Sequence, residues 1–368
     1  MMMQAWRTAV AVCLGVVLFM VSAPAHAQYR VTTLVSNQLD DHAPNTDPLL
    51  VNAWGIARSA TSPWWVSDNI SGWSTLYNGT GTPQSLKVLI PTAGNGPVMP
   101  TGLNGPGTPT GVVNNGASTD FEIEGKGASF IFATLDGTIS AFSGGTNKNL
   151  AIIAVDNSSK KASYTGLAIT SNAPGSNFLY AADNANNHVD MFDRTYTLVK
   201  SFGDPSIPSS FSVFGIQDIN GQVYVTYAAT NGGADGFVDV FMEDGTLVET
   251  LIAGWPLNQP WGITLAPSNF GPLSNTLLIS NNAIDGDIVA FDPKTRNFVG
   301  TVRNQFGERI IFNQPWGIAF GGGAANNGAT NQLFVAVGPG LAGQNENAGY
   351  FASIVFDPVP GHDHEGRW

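Results

Sequence analysis

Residues 261–302 read WGITLAPSNFGPLSNTLLISNNAIDGDIVAFDPKTRNFVGTV. Short runs rich in Val, Ile, Leu, Thr and Phe alternate there with clusters of Gly, Pro, Asn and Asp, which is the pattern of strands joined by turns. The runs predict four consecutive strands, at 261–266, 276–280, 287–291 and 297–302. No part of the segment has the 3.6-residue apolar period of a helix. A unit of four strands is therefore the repeating element to look for in the rest of the chain.

The unit does recur. A glycine-centred apolar strand occurs six times, and successive glycines lie 47 to 56 residues apart. The glycines are Gly55, Gly111, Gly166, Gly215, Gly262 and Gly317. Five of the units end their third strand on a phenylalanine: Phe142, Phe192, Phe241, Phe291 and Phe356. A repeat of this length built only from strands is the signature of β-propeller blades, so the sequence predicts an all-β, six-bladed β-propeller.

The last repeat has three strands instead of four. Its strands lie at 316–320, 333–337 and 351–356, and the residues after them are rich in Pro, His and Gly. An unassigned strand, 29–35, stands at the other end of the propeller region. We expect this N-terminal strand to complete the sixth blade, because closing the ring removes the open sheet edges. The propeller domain is predicted to span 28–360.

The first 27 residues have the features of a secretory signal peptide. Arg7 is the basic n-region, 8–22 is a short apolar run, and Ala25-His26-Ala27 is a small-residue cleavage motif before Gln28. The apolar run is shorter than a membrane span. Residues 1–27 are therefore predicted to be removed, which places the mature protein outside the cell or in the periplasm. Residues 361–368 are predicted to be a disordered tail.

Composition limits the possible partners. The net charge is −12 and charged residues make up only 11% of the chain, so no basic surface for nucleic acid is expected. The single cysteine lies inside the predicted signal peptide, which excludes disulfides from the mature chain. No other apolar stretch reaches membrane length. We expect a closed, monomeric propeller without a transmembrane span.

Strand direction predicts which polar and aromatic residues share a face. In a blade of antiparallel strands, the start of the inner strand and the end of the second strand lie at the same rim of the central channel. Aromatic rings and amides at this rim suit a small molecule, a glycan or a protein. The ligand-binding candidates are Asn52, Trp54, Tyr164, Gln259, Trp261, Gln314 and Trp316. The alternative is that the tryptophans pack between neighbouring blades, next to glycines that allow close approach of the backbones.

Three oxygen-bearing residues occupy equivalent positions after the second strand: Asp68, Asp183 and Asn281. Oxygen ligands converging from several blades would suit Ca²⁺ or another divalent metal. The alternative is that these side chains bond to turn backbone. His188 follows Asp183 closely and is a candidate general base beside it, so Asp68, Asp183 and His188 are the catalytic candidates. The sequence has no Gly-x-Ser-x-Gly, His-Glu-x-x-His or P-loop motif.

Several segments resemble a family of secreted bacterial propeller proteins. They are DPLLVNAWG at 47–55, WWVSDN at 64–69, NFLYAAD at 177–183, VYVTYA at 223–228 and LNQPWG at 257–262. The family usually has Pro where this chain has Ala53. More distantly, the chain is similar to NHL-repeat and gluconolactonase-type propellers. The close resemblance implies the fold and export, and the distant one implies a divalent metal held in the channel by Glu and Asn or Asp; that Glu has no counterpart among these residues.

Two functions are therefore compatible with the sequence. The first is a non-catalytic propeller that binds a ligand or partner at the channel rim, which the aromatic and amide residues favour. The second is a metal-assisted hydrolase or lyase, similar to a lactonase, acting on a small sugar-derived substrate. Fold alone does not decide between them.

Overall fold

The structure is a computed structural model and describes residues 28–93, 106–117, 119–144, 149–339 and 347–358. Its strands form six blades around a central channel, which confirms the predicted all-β six-bladed propeller. The predicted signal peptide and the predicted C-terminal tail lie outside the described residues. Three 3₁₀ turns are the helical elements of the described ranges, at Leu39–Asp41, Ser158–Lys160 and Gly271–Leu273. Within these ranges, no helix has the length and hydropathy that a membrane span needs.

Each blade is built of antiparallel strands. In blades 1 to 5 the first strand in the chain lines the channel, and in blade 6 the strand Pro315–Phe320 does so. The chain begins with β1 (Gln28–Ser36) and the short β2 (Asn45–Thr46). Blade 1 contains β3 (Ala53–Ala57), β4 (Trp64–Asp68), β5 (Trp73–Tyr77) and β6 (Val88–Leu89). Blade 2 starts with β7 (Pro109–Asn114), followed by a separate hairpin of β8 (Glu122–Ile123) and β9 (Lys126–Gly127). It continues with β10 (Phe130–Thr134), β11 (Thr138–Phe142) and β12 (Ile152–Asp156).

The remaining blades follow in chain order. Blade 3 contains β13 (Tyr164–Ile169), β14 (Leu179–Asp183), β15 (His188–Phe192) and β16 (Leu198–Phe202). Blade 4 contains β17 (Phe211–Ile219), β18 (Gln222–Ala229), β19 (Gly236–Met242) and β20 (Leu247–Ala253). Blade 5 contains β21 (Pro260–Leu265), β22 (Leu277–Asn281), β23 (Ile288–Phe291) and β24 (Phe298–Thr301). Blade 6 contains β25 (Pro315–Phe320), β26 (Gln332–Val337) and β27 (Tyr350–Asp357).

The N-terminal strand supplies the fourth strand of blade 6, as the sequence predicted. β1 pairs antiparallel with β27, and the register runs from Gln28 opposite Asp357 to Ser36 opposite Tyr350. Tyr29 anchors the start of β1: its ring lies 4.8 Å from that of Phe270, whose carbonyl accepts the Tyr29 hydroxyl at 2.7 Å. The ring is thus closed by main-chain pairing between the two ends of the described chain.

The repeated glycines hold the inner strands together. A Cβ placed on Gly55 would lie 2.5 Å from the carbonyl oxygen of Thr110 in blade 2. A Cβ on Gly317 would lie 2.8 Å from the carbonyl oxygen of Trp54, which links blade 6 to blade 1. Every glycine of the ring faces the inner strand of the next blade in this way, and at five of the six the nearest backbone atom would be within 3.0 Å. The repeat is therefore a steric requirement of six inner strands converging on one axis.

Side-chain hydroxyls join neighbouring inner strands. Thr110 Oγ1 donates to the carbonyl of Tyr164 at 2.6 Å, and Thr165 Oγ1 donates to the carbonyl of Phe214 at 2.7 Å. Ser280 Oγ donates to the carbonyl of Trp316, also at 2.7 Å. Carbonyls that point sideways from one blade are thus satisfied by the blade before it, which a buried polar group requires.

The buried carboxyl of Asp239 in blade 4 should make the stability of the fold depend on pH. Asp239 is completely buried and faces Tyr227 and Thr250, and this burial raises the pKa of Asp239 to about 6. The raised pKa means that Asp239 favours the folded state below about pH 4, and that this contribution is lost as the pH rises through about 6. Asp239→Asn should therefore raise stability near neutral pH, on the order of 2 kcal/mol.

The measurement is urea unfolding of both proteins at about pH 5 and about pH 8. The free energy of unfolding should differ less between the two pH values in Asp239→Asn than it does in the wild type. The exposed Asp244→Asn in the same blade is the matched control and should retain that difference. An unchanged pH dependence in Asp239→Asn would show that this carboxyl is not the titrating group.

Candidate functional site

Three tryptophans close the channel at the rim where the inner strands begin. Trp54 stacks on Trp316 with ring centroids 3.5 Å apart, and Trp261 meets both rings edge-on at 6.4 and 5.7 Å. Phe214 of blade 4 adds a fourth ring, 5.6 Å from Trp316. The three indoles are 3 to 8% exposed. We call Trp54, Trp261, Trp316 and Phe214 the aromatic plug.

Every indole N–H of the plug is bonded. Trp54 Nε1 donates to Asn52 Oδ1 at 3.1 Å, and Trp316 Nε1 donates to the carbonyl of Gly338 at 2.7 Å. Trp261 Nε1 reaches from blade 5 past blade 4 and donates to the carbonyl of Thr165 in blade 3 at 3.0 Å. The sequence left ligand contact and packing between blades as alternatives for these rings. They do pack, but against one another across the channel axis.

The predicted amides hold the backbone that enters the plug. Asn52, Gln259 and Gln314 each lie two residues before a plug tryptophan and have positive φ values of 53°, 54° and 60°. Asn52 and Gln314 are buried, and Gln259 Nε2 donates to the carbonyls of Ala229 and Gly233. These amides are thus used inside the fold, in a left-handed backbone position that strand residues seldom adopt.

Tyr164, a ligand-binding candidate from the sequence, does not lie on the surface of the rim. Its side chain is completely buried, and its hydroxyl donates to Asp190 Oδ2 at 2.8 Å and accepts from Asn157 Nδ2 at 2.7 Å. Burial raises the pKa of Tyr164. The ring therefore contacts no solvent-accessible ligand directly, and its hydroxyl acts on the orientation of a carboxylate.

Below the plug, the channel is an open cavity of about 420 Å³. It begins under Trp261 and extends to the far ends of the inner strands. Its walls combine four of the ring glycines, Gly55, Gly111, Gly262 and Gly317, with a ring of aliphatic side chains. Among these are Ile56, Val113, Leu167, Ile216, Ile263 and Ile318. The channel is blind, since the aromatic plug blocks one end and the other opens at the exposed Ser171 and Gln217.

Two charged residues line the cavity near its open end. Arg58 extends from blade 1, where its Nε donates to the carbonyl of Phe320 at 2.9 Å and its guanidinium lies 5.6 Å from the Trp64 ring. Asp218 lines the cavity from blade 4, on the opposite side of the ring. Its Oδ2 is buried without a hydrogen-bond partner, and burial raises the pKa of Asp218 to about 6. The mouth therefore carries a cation on one side and an under-satisfied carboxyl on the other.

A second cluster lies in blade 3. Asp183 ends β14, and His188 and Asp190 lie on β15, where alternation places both side chains on one face. His188 Nε2 is 3.1 Å from Asp190 Oδ1 and 3.8 Å from Asp183 Oδ2. The ligating atoms of the three residues all lie within 4.8 Å of one another, and no other group of three His, Cys, Asp or Glu in the described ranges does so.

Hydrogen bonds fix both carboxylates of the cluster. Asp183 accepts from the backbone N–H of Ser163 at 3.0 Å and from Asn186 Nδ2 at 2.7 Å, while Ser201 Oγ donates to Asp190 Oδ1 at 2.6 Å. The bond to Asp190 raises the pKa of His188 against the opposing effect of burial. Burial disfavours the charge of Asp190, but its hydrogen bonds outweigh this and hold the pKa of Asp190 below its ordinary value.

Of the three metal candidates from the sequence, the structure brings only Asp183 into a cluster. Asp68 is completely buried in blade 1, where its Oδ2 accepts from the N–H of Thr75. Both ends of the Asn281 amide are bonded within blade 5, to Asn258, Pro256 and Asp287. Both residues thus bond within their own blades: Asn281 bonds to the loop that precedes β21, whereas Asp68 bonds to the neighbouring strand β5.

Sequence reasoning paired Asp183 with His188 but missed Asp190. The signal was present, because His188 and Asp190 are two residues apart on one predicted strand and so share a face. The residues of the channel mouth were also missed. Arg58 and Asp218 lie at the ends of inner strands, whereas the ligand-binding candidates from the sequence lie where the inner strands begin.

Comparisons place this architecture among known proteins. No protein-family model matches the chain. An uncharacterized protein of Acanthamoeba polyphaga mimivirus is 31% identical over 207 residues, which cover 52% of this chain and 38% of that protein. A second from the same virus is 28% identical over 308 residues, covering 79% and 73%. The chain thus spans well under half of the first relative's length, and these viral relatives lend no support to bacterial origin or export.

Solved structures agree on the fold. A gluconolactonase from Xanthomonas campestris superposes with a TM-score of 0.55 at 12% identity, covering 89% of this chain and 90% of the enzyme. A streptogramin B lyase superposes with a TM-score of 0.51, also at 12% identity, covering 91% and 100%. The similarity to gluconolactonase-type propellers is therefore one of fold, and at this identity it carries no residue roles.

Proposed function

We propose that this chain is a binding propeller that takes a small molecule into its blind channel. The observation that carries the proposal is the cavity of about 420 Å³ below the aromatic plug. Small-molecule sites are concave and have volumes of about 300 to 1,000 Å³, a range that includes this cavity. The ligand would enter at the mouth lined by Ser171 and Gln217 and extend towards Trp261.

The charges at the mouth favour one class of ligand. Arg58 offers donors to a carboxylate, while the Asp218 residue that lines the cavity from blade 4 adds negative charge that would favour a basic group. Blades 1 and 4 are opposite in a six-membered ring, so a ligand with separated acidic and basic groups would satisfy both. Small zwitterions, such as amino acids and dipeptides, are the first probes to use.

A mouth variant tests the proposal. Ser171→Trp places a large ring at the open end and should weaken binding of any channel ligand by more than about tenfold, with little effect on stability because Ser171 is exposed. Binding is measured by calorimetry with a panel of amino acids, dipeptides, neutral monosaccharides and sugar lactones. Ser209→Trp, in the exposed loop before β17 at the opposite end, is the matched control.

The outcomes distinguish binding in the cavity from binding at the opposite rim. Equal binding to wild type and Ser171→Trp would contradict a ligand in the cavity. Loss of binding in Ser209→Trp alone would instead favour a site at the rim where the inner strands begin, as predicted from the sequence. Turnover of a sugar lactone would favour the hydrolase alternative, which lacks its proposed ligand set because Asp68 and Asn281 are bonded within their own blades.

We also propose that the protein is exported as a monomer after cleavage near Ala27–Gln28, in keeping with the resemblance to secreted bacterial propellers. The support is the basic residue, short apolar run and small-residue motif of 1–27. Intact mass of the protein purified from the medium or periplasm should show a chain that begins at Gln28. A chain retaining Met1 in the membrane fraction would contradict export.

A further inference from the structure

The geometry points to a divalent transition-metal site, best suited to zinc, formed by Asp183, His188 and Asp190. This site goes beyond the proposed binding function, because it belongs to the β14–β15 hairpin of blade 3 and shares no residue with the cavity. It also differs from the set expected from the sequence, since two of its three ligands come from a single strand.

The distances fit a tetrahedral ion. Zinc lies about 2.0 to 2.2 Å from histidine nitrogen and carboxylate oxygen, so neighbouring ligand atoms of a tetrahedral site are about 3.4 Å apart. The two distances from His188 Nε2, 3.1 Å to Asp190 Oδ1 and 3.8 Å to Asp183 Oδ2, lie on either side of that value. The ligand oxygens of Asp183 and Asp190 lie within 4.8 Å of each other, so binding of an ion would draw the two carboxylates together.

The charge of the cluster favours the binding of a cation. The side chains of Asp183 and Asp190 are only 2% and 6% exposed, and in the described ranges His188 is the one basic residue that forms an ion pair with either. With neutral His188 the cluster holds two buried negative charges and an imidazole nitrogen, which a dication would compensate. Nothing in the cluster would need to be displaced except the proton on Nε2.

The surroundings resemble an outer shell of a metal site. Tyr164 and Ser201 donate to the two oxygens of Asp190, and Asn186 donates to Asp183. Carboxylate oxygens have a second lone pair, so these bonds orient the ligands without blocking them. His188 is one-third exposed, which leaves a fourth position open to water. Calcium needs six to eight oxygens, whereas an imidazole with two carboxylates suits zinc and its neighbours.

Titration calorimetry of the metal-stripped full chain with zinc chloride tests the site. We expect one zinc ion per chain at the cluster, and more than about tenfold weaker binding in His188→Gln and in Asp190→Asn. His42→Gln, which removes an exposed histidine of blade 1's entry loop, is the matched control and should bind zinc as the wild type does. All proteins carry His362→Gln and His364→Gln, because a His-x-His pair binds zinc by itself.

A second measurement keeps the test decisive if the cluster variants misfold. Crystals of the unmutated cluster soaked in zinc should show anomalous scattering at the zinc edge between Asp183, His188 and Asp190. Calcium chloride in the same calorimetric experiment should give no comparable heat. Zinc binding that is unchanged in folded His188→Gln, or no anomalous peak at the cluster, would overturn the proposal and leave a hydrogen-bonded histidine–aspartate pair.

Discussion

Replacing Gly215 with alanine should lower the free energy of unfolding by about 3 kcal/mol or more, because overpacking against rigid backbone is costly. A Cβ at this position would overlap the carbonyl oxygen of Trp261, and the side-chain oxygen of Thr226 would be only 2.9 Å away. Neither atom can yield easily: the carbonyl belongs to the inner strand of blade 5, and Thr226 Oγ1 accepts from the N–H of Gly215 itself. Relief would require moving one blade against the next.

Chemical unfolding of a graded glycine series measures this effect. Gly166→Ala should be milder, because the nearest neighbours of the new Cβ would lie at 3.2 Å and would need to move by only a few tenths of an ångström. Gly116→Ala is the matched control, since a Cβ there would meet nothing within 4 Å. Equal losses at Gly116 and Gly215 would show that close contact between blades does not explain the repeated glycine.

The second large effect is expected from Trp316→Ala, which should cost about 3 to 5 kcal/mol. Trp316 is the centre of the aromatic plug: it stacks on Trp54, meets Trp261 edge-on and contacts Phe214. Removing the indole leaves a cavity among the remaining rings and an unbonded carbonyl at Gly338. The same change would join the blind channel to the opposite rim and let water through.

Thermal and urea unfolding give the stability loss. Trp255→Ala removes an equally large ring that is 78% exposed, so it controls for the loss of tryptophan itself and should cost well under half as much. Trp316→Phe should retain part of the stability, because a smaller ring still stacks. If Trp316→Ala unfolds at the same urea concentration as the wild type, the plug is not a packing element, and the sequence-based hypothesis of a ligand-contacting ring regains support.

The fold could be predicted because the same close approach of neighbouring inner strands recurs in all six blades. Each inner strand must pass close to the next, and only glycine permits it, so Gly55 and its five counterparts mark the blades in the sequence. The closing role of β1 followed from counting strands, since the last repeat had three and the propeller region began with one. Strand boundaries and pairings then follow from local alternation, which a single sequence displays.

The candidate site was less accessible to sequence reasoning. Whether a rim tryptophan faces solvent depends on what the other blades supply, and Trp261 finds its hydrogen-bond acceptor at Thr165, 96 residues away. The cavity is lined largely by backbone and by aliphatic residues that also read as ordinary strand positions. Asp68 and Asn281 looked equivalent to Asp183, but only Asp183 has a histidine opposite it in the register of its hairpin.

The pairing of β1 with β27 has a consequence for biosynthesis. Tyr29 is among the first described residues to leave the ribosome, yet its partner Phe356 is among the last. β1 therefore has no antiparallel partner strand until β27 has been synthesised, and the ring cannot close before then. Contacts so distant in sequence slow folding and expose edges that other molecules can capture. The seam that completes blade 6 is thus also the point at which a nascent chain depends most on protection.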